Sequence, residues 1–379
     1  AAVLVLGWPD WQQRSEEEME STLGAPLKER FTPCFVRHLL GDEDLPLRRV
    51  PGEAMKDFMY RCFQADVQEQ AWRNRQVPAR APRGAVRIMT FNIHFWRRGF
   101  SDREMGDNLE EVLGLVRRYS PDVLALQECP DPEVTAARFR KELGYSYSAR
   151  AGAANVHVLP KTQPSFPGSR LCVLLLSRLP LHEAGAVPLV DGGAAVFGVV
   201  QPLGPASPKI AVYSTHLSVR CPAATRLAEM RRLLEHANAR HSGDALQVVT
   251  GDFNQPVQRD YPSREWAALA GDLRRAKLDV EDGVAEALET AGFRTSFQSV
   301  QRGAQDSSAW KEAPPLTAWN GCTVDFLYLR QMGTKPRSHL QREGGLHTAD
   351  SASIVASSSS AVFTDMSDHL PLVTDVMLQ

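Results

Sequence analysis

The sequence has little charge imbalance, few and scattered cysteines and no long apolar run, and each shortage excludes something. Its 43 Lys and Arg against 45 Asp and Glu leave a formal net charge of −2 and a pI near 6.6. Bulk electrostatics therefore give no support to a polycationic nucleic-acid binder, although a local groove or bound metal ions can still supply positive charge. The six cysteines (Cys34, Cys62, Cys129, Cys172, Cys221 and Cys322) include no CxxC pair. They read as mostly free thiols of a reducing compartment, which favours an intracellular, cytoplasmic setting. No apolar run approaches the ~18 residues of a transmembrane helix, so no membrane span is expected. The opening Val3–Leu6 is too short for a signal-peptide core and lacks a basic flank. The first residue is Ala rather than Met, so the chain reads as a processed product or a piece of a longer polypeptide. The sequence shows no internal repeat, and a monomer is the expected state.

What is present is ample core material, 43% hydrophobic residues over 379 positions. Residues 1–72 form an N-terminal accessory segment with an acidic run at Glu16–Glu18 and several prolines. Met55, Phe58, Met59, Cys62 and Phe63 recur there at helical spacing. Residues 73–85 are basic, proline-rich and aperiodic, as a linker is. Regular patterning begins at Val86 and continues to residue 379. Strands are expected at Val86–Phe91, Val123–Leu126, Leu171–Leu176, Val196–Val200, Ile210–Tyr213, Leu246–Val249, Thr323–Leu329 and Leu372–Met377. Helices are expected around Leu109–Val116, Pro132–Leu143, after Pro222, at Ser263–Arg275 and at Val284–Ala291. Polar loops are expected around Lys161–Gly168 and through Ser360. Alternation of strands and helices with antiparallel-compatible connections gives an α/β or α+β layered domain.

Polar residues collect where apolar strands stop. Val248–Thr250 leads into Gly251-Asp252-Phe253-Asn254, where period-two spacing sends Asp252 and Asn254 to one side of an extended backbone. A carboxylate can hold a hard cation or orient a water, and an amide can bond a phosphate oxygen. An Asp and Asn at a strand end also make a turn. The same placement recurs at Asn92, Glu128, His216 and Asp368-His369, while Asp325 sits early within its strand. Each has a plain alternative as turn former, solvated strand end or core histidine. Together they suggest one crevice, because strand ends on one sheet edge converge.

The blocks TFNIHFW, DVLALQE, YSTHL, VTGDFNQP, CTVDFLYL and SDHLPLV, in that order, resemble the endonuclease/exonuclease/phosphatase superfamily over residues 86–379. The resemblance implies a four-layer sandwich of two mixed β-sheets flanked by helices, with the N-terminal extension outside it. It implies Mg²⁺ or Mn²⁺ held by Glu128, with Asn92 close by and Asp368 near a second position. Asp252 would activate water, Asn254 would steady phosphoryl oxygens, and His216 and His369 would donate to developing charge. Asp325 would bond His369 and keep it protonated. The expected partner is a phosphoester substrate, with nucleic acid among the candidates. Departures concern the substrate: Phe326 follows Asp325 where arginine is usual, and Gln255-Pro256 follows GDFN. Arg170 would contact a substrate phosphate or be a solvated strand start. Trp96 would stack a base or cap the core. A phosphodiesterase of the nuclease kind leads, followed by a phosphatase or phospholipase on a small or lipid phosphoester. A catalytically inactive scaffold is the third reading.

Overall fold

The structure, a computed structural model, describes residues 80–96, 108–152, 172–190, 194–202, 207–218, 221–261, 283–303, 323–332, 354–361 and 369–378. It also describes Arg61, Gly204, Trp266, Ala267, Ala270 and Thr317. The remainder of the 1–72 segment, most of the linker, the 161–168 loop, Arg170 and Asp368 lie outside the described residues.

The first half of the domain runs β1 (Ala85–Asn92), a 3-10 turn at His94–Trp96, α1 (Leu109–Tyr119), β2 (Val123–Cys129), α2 (Pro132–Leu143), β3 (Tyr147–Gly152) and β4 (Cys172–Ser177). The second continues with β5 (Leu181–Pro188), β6 (Ala194–Val200), β7 (Ile210–His216), α3 (Ala223–His241) and β8 (Leu246–Asp252). After another 3-10 turn at Gln258–Asp260 come α4 (Val284–Thr290), β9 (Arg294–Thr295), α5 (Ser296–Gly303), β10 (Asp325–Gln331), β11 (Ile354–Ala361) and β12 (Leu372–Leu378).

Local chemistry explains the helix limits. Helix α1 buries Val112, Leu113, Leu115 and Val116, with Glu110 and Glu111 in its first turn and Arg117 and Arg118 in its last, each complementing the helix dipole. It stops where Ser120 turns left-handed and returns its N–H to the Val116 carbonyl, just before Pro121. Asp131 caps α2 by accepting from the Val134 N–H at 3.1 Å, with Pro132 at the first turn and left-handed Gly144 closing the far end.

Two six-stranded sheets result, ordered β11-β12-β1-β2-β4-β3 and β5-β6-β7-β8-β10-β9. Each has one parallel pair at its centre, β1–β2 or β7–β8, joined across a helix, and antiparallel neighbours on both flanks. The two halves thus repeat one topology that no sequence repeat announces.

Alternation along the strands sorts the core into layers. Val86, Ile88, Val123, Ala125, Val173 and Leu175 meet Val196, Ile210, Val212, Leu246 and Val248 between the sheets. On the outer faces, Met89, Phe91, Leu124 and Leu126 pack with α1 and α2, whereas Tyr213 and Val249 pack with α3 and α4. The order is helix, sheet, sheet, helix, as the resemblance implies. A polar pin crosses between the sheets, where Gln127 bonds Thr90 and, at 3.1 Å, the Ser214 hydroxyl.

Three differences from the sequence-based expectation concern sheet margins. The serine-rich stretch expected as loop forms the edge strand β11, paired with β12 and bulged between Ala356 and Ser358. Strands β3 and β5 were not expected either, and both are edge strands. Along β5 half-buried and exposed residues alternate, with Leu181 and Val187 as its only branched aliphatic residues, so a ladder of backbone hydrogen bonds forms with only a weak hydrophobic signature. Strand β10 begins at Asp325, which is therefore a strand terminus rather than an interior position.

Candidate active site

Strand direction builds the site. Strands β1, β2, β7 and β8 all end at one edge of the sandwich. Strands β10 and β12, antiparallel to β8 and β1, begin there. Register places His216 opposite Asp252, and Asp252 opposite Asp325. Asn92 ends β1, Glu128 stands near the end of β2, and His369 lies just before β12. The rims of the two sheets meet where the Asn92 amide donates to Asp252 Oδ2 at 3.0 Å and to Glu128 Oε1 at 3.2 Å.

Asp252 Oδ2 is the hub. His216 Nε2 is 3.5 Å from it and His369 Nε2 is 3.8 Å from it. His216 Nε2 also lies 3.9 Å from Glu128 Oε1. The side chain of Asp252 is 2% exposed, those of His369 and His216 12% and 13%, and that of Glu128 17%, so a funnel leads from solvent toward the aspartate. His369 Nδ1 and Asp325 Oδ2 are 2.8 Å apart. Burial pushes the Asp325 carboxyl up to about 6. The charge and hydrogen bond of His369 oppose that shift, the Asp252 charge adds to it, and the Thr317 hydroxyl opposes it.

Two backbone features hold these groups in place. Glu128 has a positive φ of 53° and lies in the bulge between Leu126 and Cys129 on the β2–β4 ladder. A non-glycine residue in this conformation costs about 1–3 kcal/mol and re-aims its side chain. Gly251 has φ +131°, and a Cβ there would stand 1.9 Å from the Thr215 carbonyl oxygen. The glycine of the GDFN block is therefore what lets β8 lie against the end of β7.

A divalent cation fits the donor set. Oε2 of Glu128 and Oδ1 of Asp325 are buried and have no hydrogen-bond partner, the condition a cation relieves. Asp252, Asp325 and His369 each offer a ligand atom within 4.8 Å of one another. That trio is distinct from the Asn92, Glu128 and Asp368 set expected from the sequence.

A profile of the endonuclease/exonuclease/phosphatase family matches residues 89–369. The chain belongs to that family. Its members are hydrolases acting on phosphoesters and are generally dependent on divalent metals. Among solved structures, this family member is similar to an endonuclease/exonuclease/phosphatase from Beutenbergia cavernae DSM 12333, at 21% identity and TM-score 0.52, covering 78% of this chain and 72% of that one. It is similar to the human Nocturnin catalytic domain with bound sulfate anion, at 18% identity and TM-score 0.53, over 79% and 96% of the two chains. A functionally unknown conserved protein from Enterococcus faecalis V583 is 14% identical with TM-score 0.50, over 78% and 100%. At these identities the likeness is one of fold. No curated protein matches the sequence.

Within this family member the expected residues Asn92, Glu128, His216, Asp252, Asp325 and His369 come together at one rim. Asn254 arrives by a different route than period-two spacing. Strand β8 ends at Asp252, Asn254 is left-handed with φ 50°, and its N–H donates to Asp252 Oδ1 at 2.8 Å. That is an Asx turn, so the turn and the site are the same feature. The Asn254 amide nitrogen donates to the Leu217 carbonyl at 2.9 Å, tying the β8 loop to the β7 loop. Trp96 is half-buried and packs on the core of the first sheet.

Three supporting residues are absent from the sequence-based set. Arg226 and Glu229, polar residues of α3, are buried. Arg226 donates to Gln255 Oε1 at 2.9 Å, and Glu229 accepts from the backbone and hydroxyl of Ser218 at 2.9 and 2.5 Å. They brace the loops that come after Asn254 and His216. The third is Thr317. In the sequence the first two read as solvated helix positions, and no signal marks them.

Among the described residues, no helix is long and apolar enough to cross a membrane.

Proposed function

We propose that this protein is a divalent-metal-dependent phosphoesterase that cleaves a phosphodiester by in-line attack of water. The observation that carries the reading is the surround of Asp252 Oδ2, with nitrogen atoms of Asn92, His216 and His369 at 3.0, 3.5 and 3.8 Å. A buried carboxylate held by an amide and facing two imidazoles is suited to take a proton from water while the imidazoles donate to phosphoryl oxygens. Asp325 fixes the His369 tautomer through Nδ1, which leaves Nε2 toward the crevice.

Glu128, with Asn92 beside it and Asp368 from the loop before β12, would hold Mg²⁺ or Mn²⁺. When bound, the ion supplies neutralisation of phosphate charge. Asn254 spends one amide N–H on Leu217, and the second would donate to a phosphoryl oxygen. Arg170 and the exposed part of Trp96 are the proposed outer contacts to substrate. The sulfate anion of the human Nocturnin catalytic domain has the tetrahedral oxyanion shape that such a crevice would bind, which supports the reading.

A small-molecule or lipid phosphoester is the second reading, favoured by the near-zero net charge of the chain. The deciding experiment incubates the protein with Mg²⁺ or Mn²⁺ and single-stranded DNA, duplex DNA, RNA, inositol phosphates, sphingomyelin or bis(p-nitrophenyl) phosphate. Diester cleavage that EDTA and Asp252→Ala both abolish is expected. Cleavage confined to monoesters or lipids supports the second reading, and no cleavage anywhere leaves a scaffold of the same fold.

A further inference from the structure

Thr317 lies in none of the strands, yet it is fully buried and bonded to both chain segments that carry the Asp325–His369 pair. Its hydroxyl oxygen accepts from the Val324 and Asp325 N–H groups, each at 3.0 Å. Its carbonyl oxygen accepts from the Leu370 N–H at 2.7 Å. Asp325 and Leu370 are 45 positions apart in sequence, and Leu370 directly follows His369. One residue thus fixes the first residue of β10 through its side chain and the residue after His369 through its main chain.

The contact is specific in chemistry. A hydroxyl that accepts two main-chain N–H bonds stands where the β8–β10 ladder stops. Val324 and Asp325 lie at the start of β10, beyond its ladder with β9, which among the described residues reaches only Tyr328 and Leu329. Without the hydroxyl, two buried N–H groups lose an acceptor. Such a loss is repaired by moving the backbone or admitting water, and either change displaces Asp325 relative to His369. A valine in the same space keeps the branched shape and loses the acceptor, whereas a serine keeps the acceptor and loses a methyl.

We propose that Thr317 is a positioning residue for the Asp325–His369 pair, holding the carboxylate and the imidazole in register by bonding to both of their chain segments. The inference rests on the catalytic reading of that pair, but its test has a readout independent of turnover. A misplacement of about 1 Å in a catalytic group can cost on the order of 100-fold in rate.

The test compares wild type with Thr317→Val, Thr317→Ala and Thr317→Ser. It measures kcat and KM on bis(p-nitrophenyl) phosphate with Mg²⁺, and the downfield proton resonance of the His369 Nδ1–H bonded to Asp325, assigned by its loss in His369→Ala. Thr317→Val and Thr317→Ala should lower kcat tenfold or more with KM changed less than about twofold, on the scale of catalytic misplacement. Both should shift or abolish the resonance, and Thr317→Ser should restore kcat and resonance together. If only one hydroxyl-free variant folds, it alone is compared with Thr317→Ser. An unchanged resonance in the hydroxyl-free variants overturns the proposal, as does a Thr317→Ser variant impaired as deeply as Thr317→Val. Should wild type cleave no phosphoester, the catalytic reading fails, while the resonance still decides whether Thr317 positions the pair.

Discussion

Asp252 and Asp325 stand directly opposite each other in the β8–β10 ladder, and His369 reaches both, at 3.8 Å and 2.8 Å. Two buried carboxylates on neighbouring strands repel, which raises the cost of ionising both. An imidazole inserted between them reduces that cost and gives the two acids different duties. Asp325, wholly buried with its pKa pushed up to about 6, is bonded to the ring. Asp252 faces the crevice. The division follows from position in the sandwich, because β10 enters the rim from the far side of β8.

Loss of either reactive group should be severe. Asp252→Ala or His369→Ala is expected to lower kcat at least ~100-fold on a phosphodiester, the scale of a lost general base or oxyanion donor. Asp325→Asn should cost less alone, and combined with His369→Ala it should add little, because it acts through the ring. Steady-state kinetics on wild type and these variants, with circular dichroism to confirm the fold, measures this. Near-normal turnover in Asp252→Ala would falsify the assignment.

Cation binding has a readout apart from activity. Glu128 Oε2 is buried and unpartnered, so a cation that binds only the folded chain should stabilise it, by about 2.7 kcal/mol at a hundred times its Kd. Thermal melts in rising Mg²⁺ should shift upward for wild type and hardly at all for Glu128→Gln. Equal shifts in both would remove Glu128 from the cation site and favour the Asp252, Asp325 and His369 trio.

How legible was this in the sequence? The clustering was, because the candidate residues end apolar runs and the topology brings those ends together. Asn92, Glu128, His216 and Asp252 were each ambiguous alone, and the recurrence of polar residues at strand ends, with the family resemblance, singled them out. The margins were not, since β3, β5 and β11 are edge strands rich in small and polar residues. The supports were hidden too. Arg226 and Glu229 look like solvated helix positions until the loops after β7 and β8 fold over them, and Thr317 sits in a stretch without periodicity. Asn254 is positioned by a different geometry from the one its spacing suggests. Period two ends with the strand at Asp252, and an Asx turn sets the position of Asn254 instead.

Gly251 should tolerate nothing larger. Gly251→Ala places a methyl against the Thr215 carbonyl and a side chain at φ +131°. Overpacking and strain of this kind each cost about 1–3 kcal/mol. A loss of at least ~2 kcal/mol in urea unfolding is expected from those two effects together, along with reduced turnover as His216 and Asp252 move apart. A variant within ~0.5 kcal/mol of wild type, the range of a neutral surface change, would contradict the close approach of β7 and β8.

Arg87 and Asp375 form a fully buried pair joining β1 to β12, with bonds of 2.7 and 2.8 Å. Arg87 also donates to the Tyr119 carbonyl at the end of α1. Removing one partner strands a buried charge, so Arg87→Met or Asp375→Leu should each cost about 3–5 kcal/mol, whereas the double variant should recover much of the loss. Equilibrium denaturation of all four proteins completes the cycle. Additive losses would mean that the pair is not coupled, and that its role is only to fill space.

Asp260 tests the electrostatics away from the crevice. Burial pushes its carboxyl up to about 6 from 3.8, Arg259 opposes the shift and Glu289 adds to it. The folded-state pKa is therefore above the unfolded one. The group's contribution to stability is full below the unfolded value of about 3.8 and is lost as pH rises through about 6. Asn cannot ionise, so Asp260→Asn escapes that loss. Its stability relative to wild type should improve most steeply between those two values, near pH ~5, and level off once pH has passed the folded-state value of about 6. Urea melts at several pH values with EDTA present, which keeps cation binding constant, give the difference directly. A difference independent of pH would mean that the carboxyl is solvated and that the 258–260 turn does not bury it.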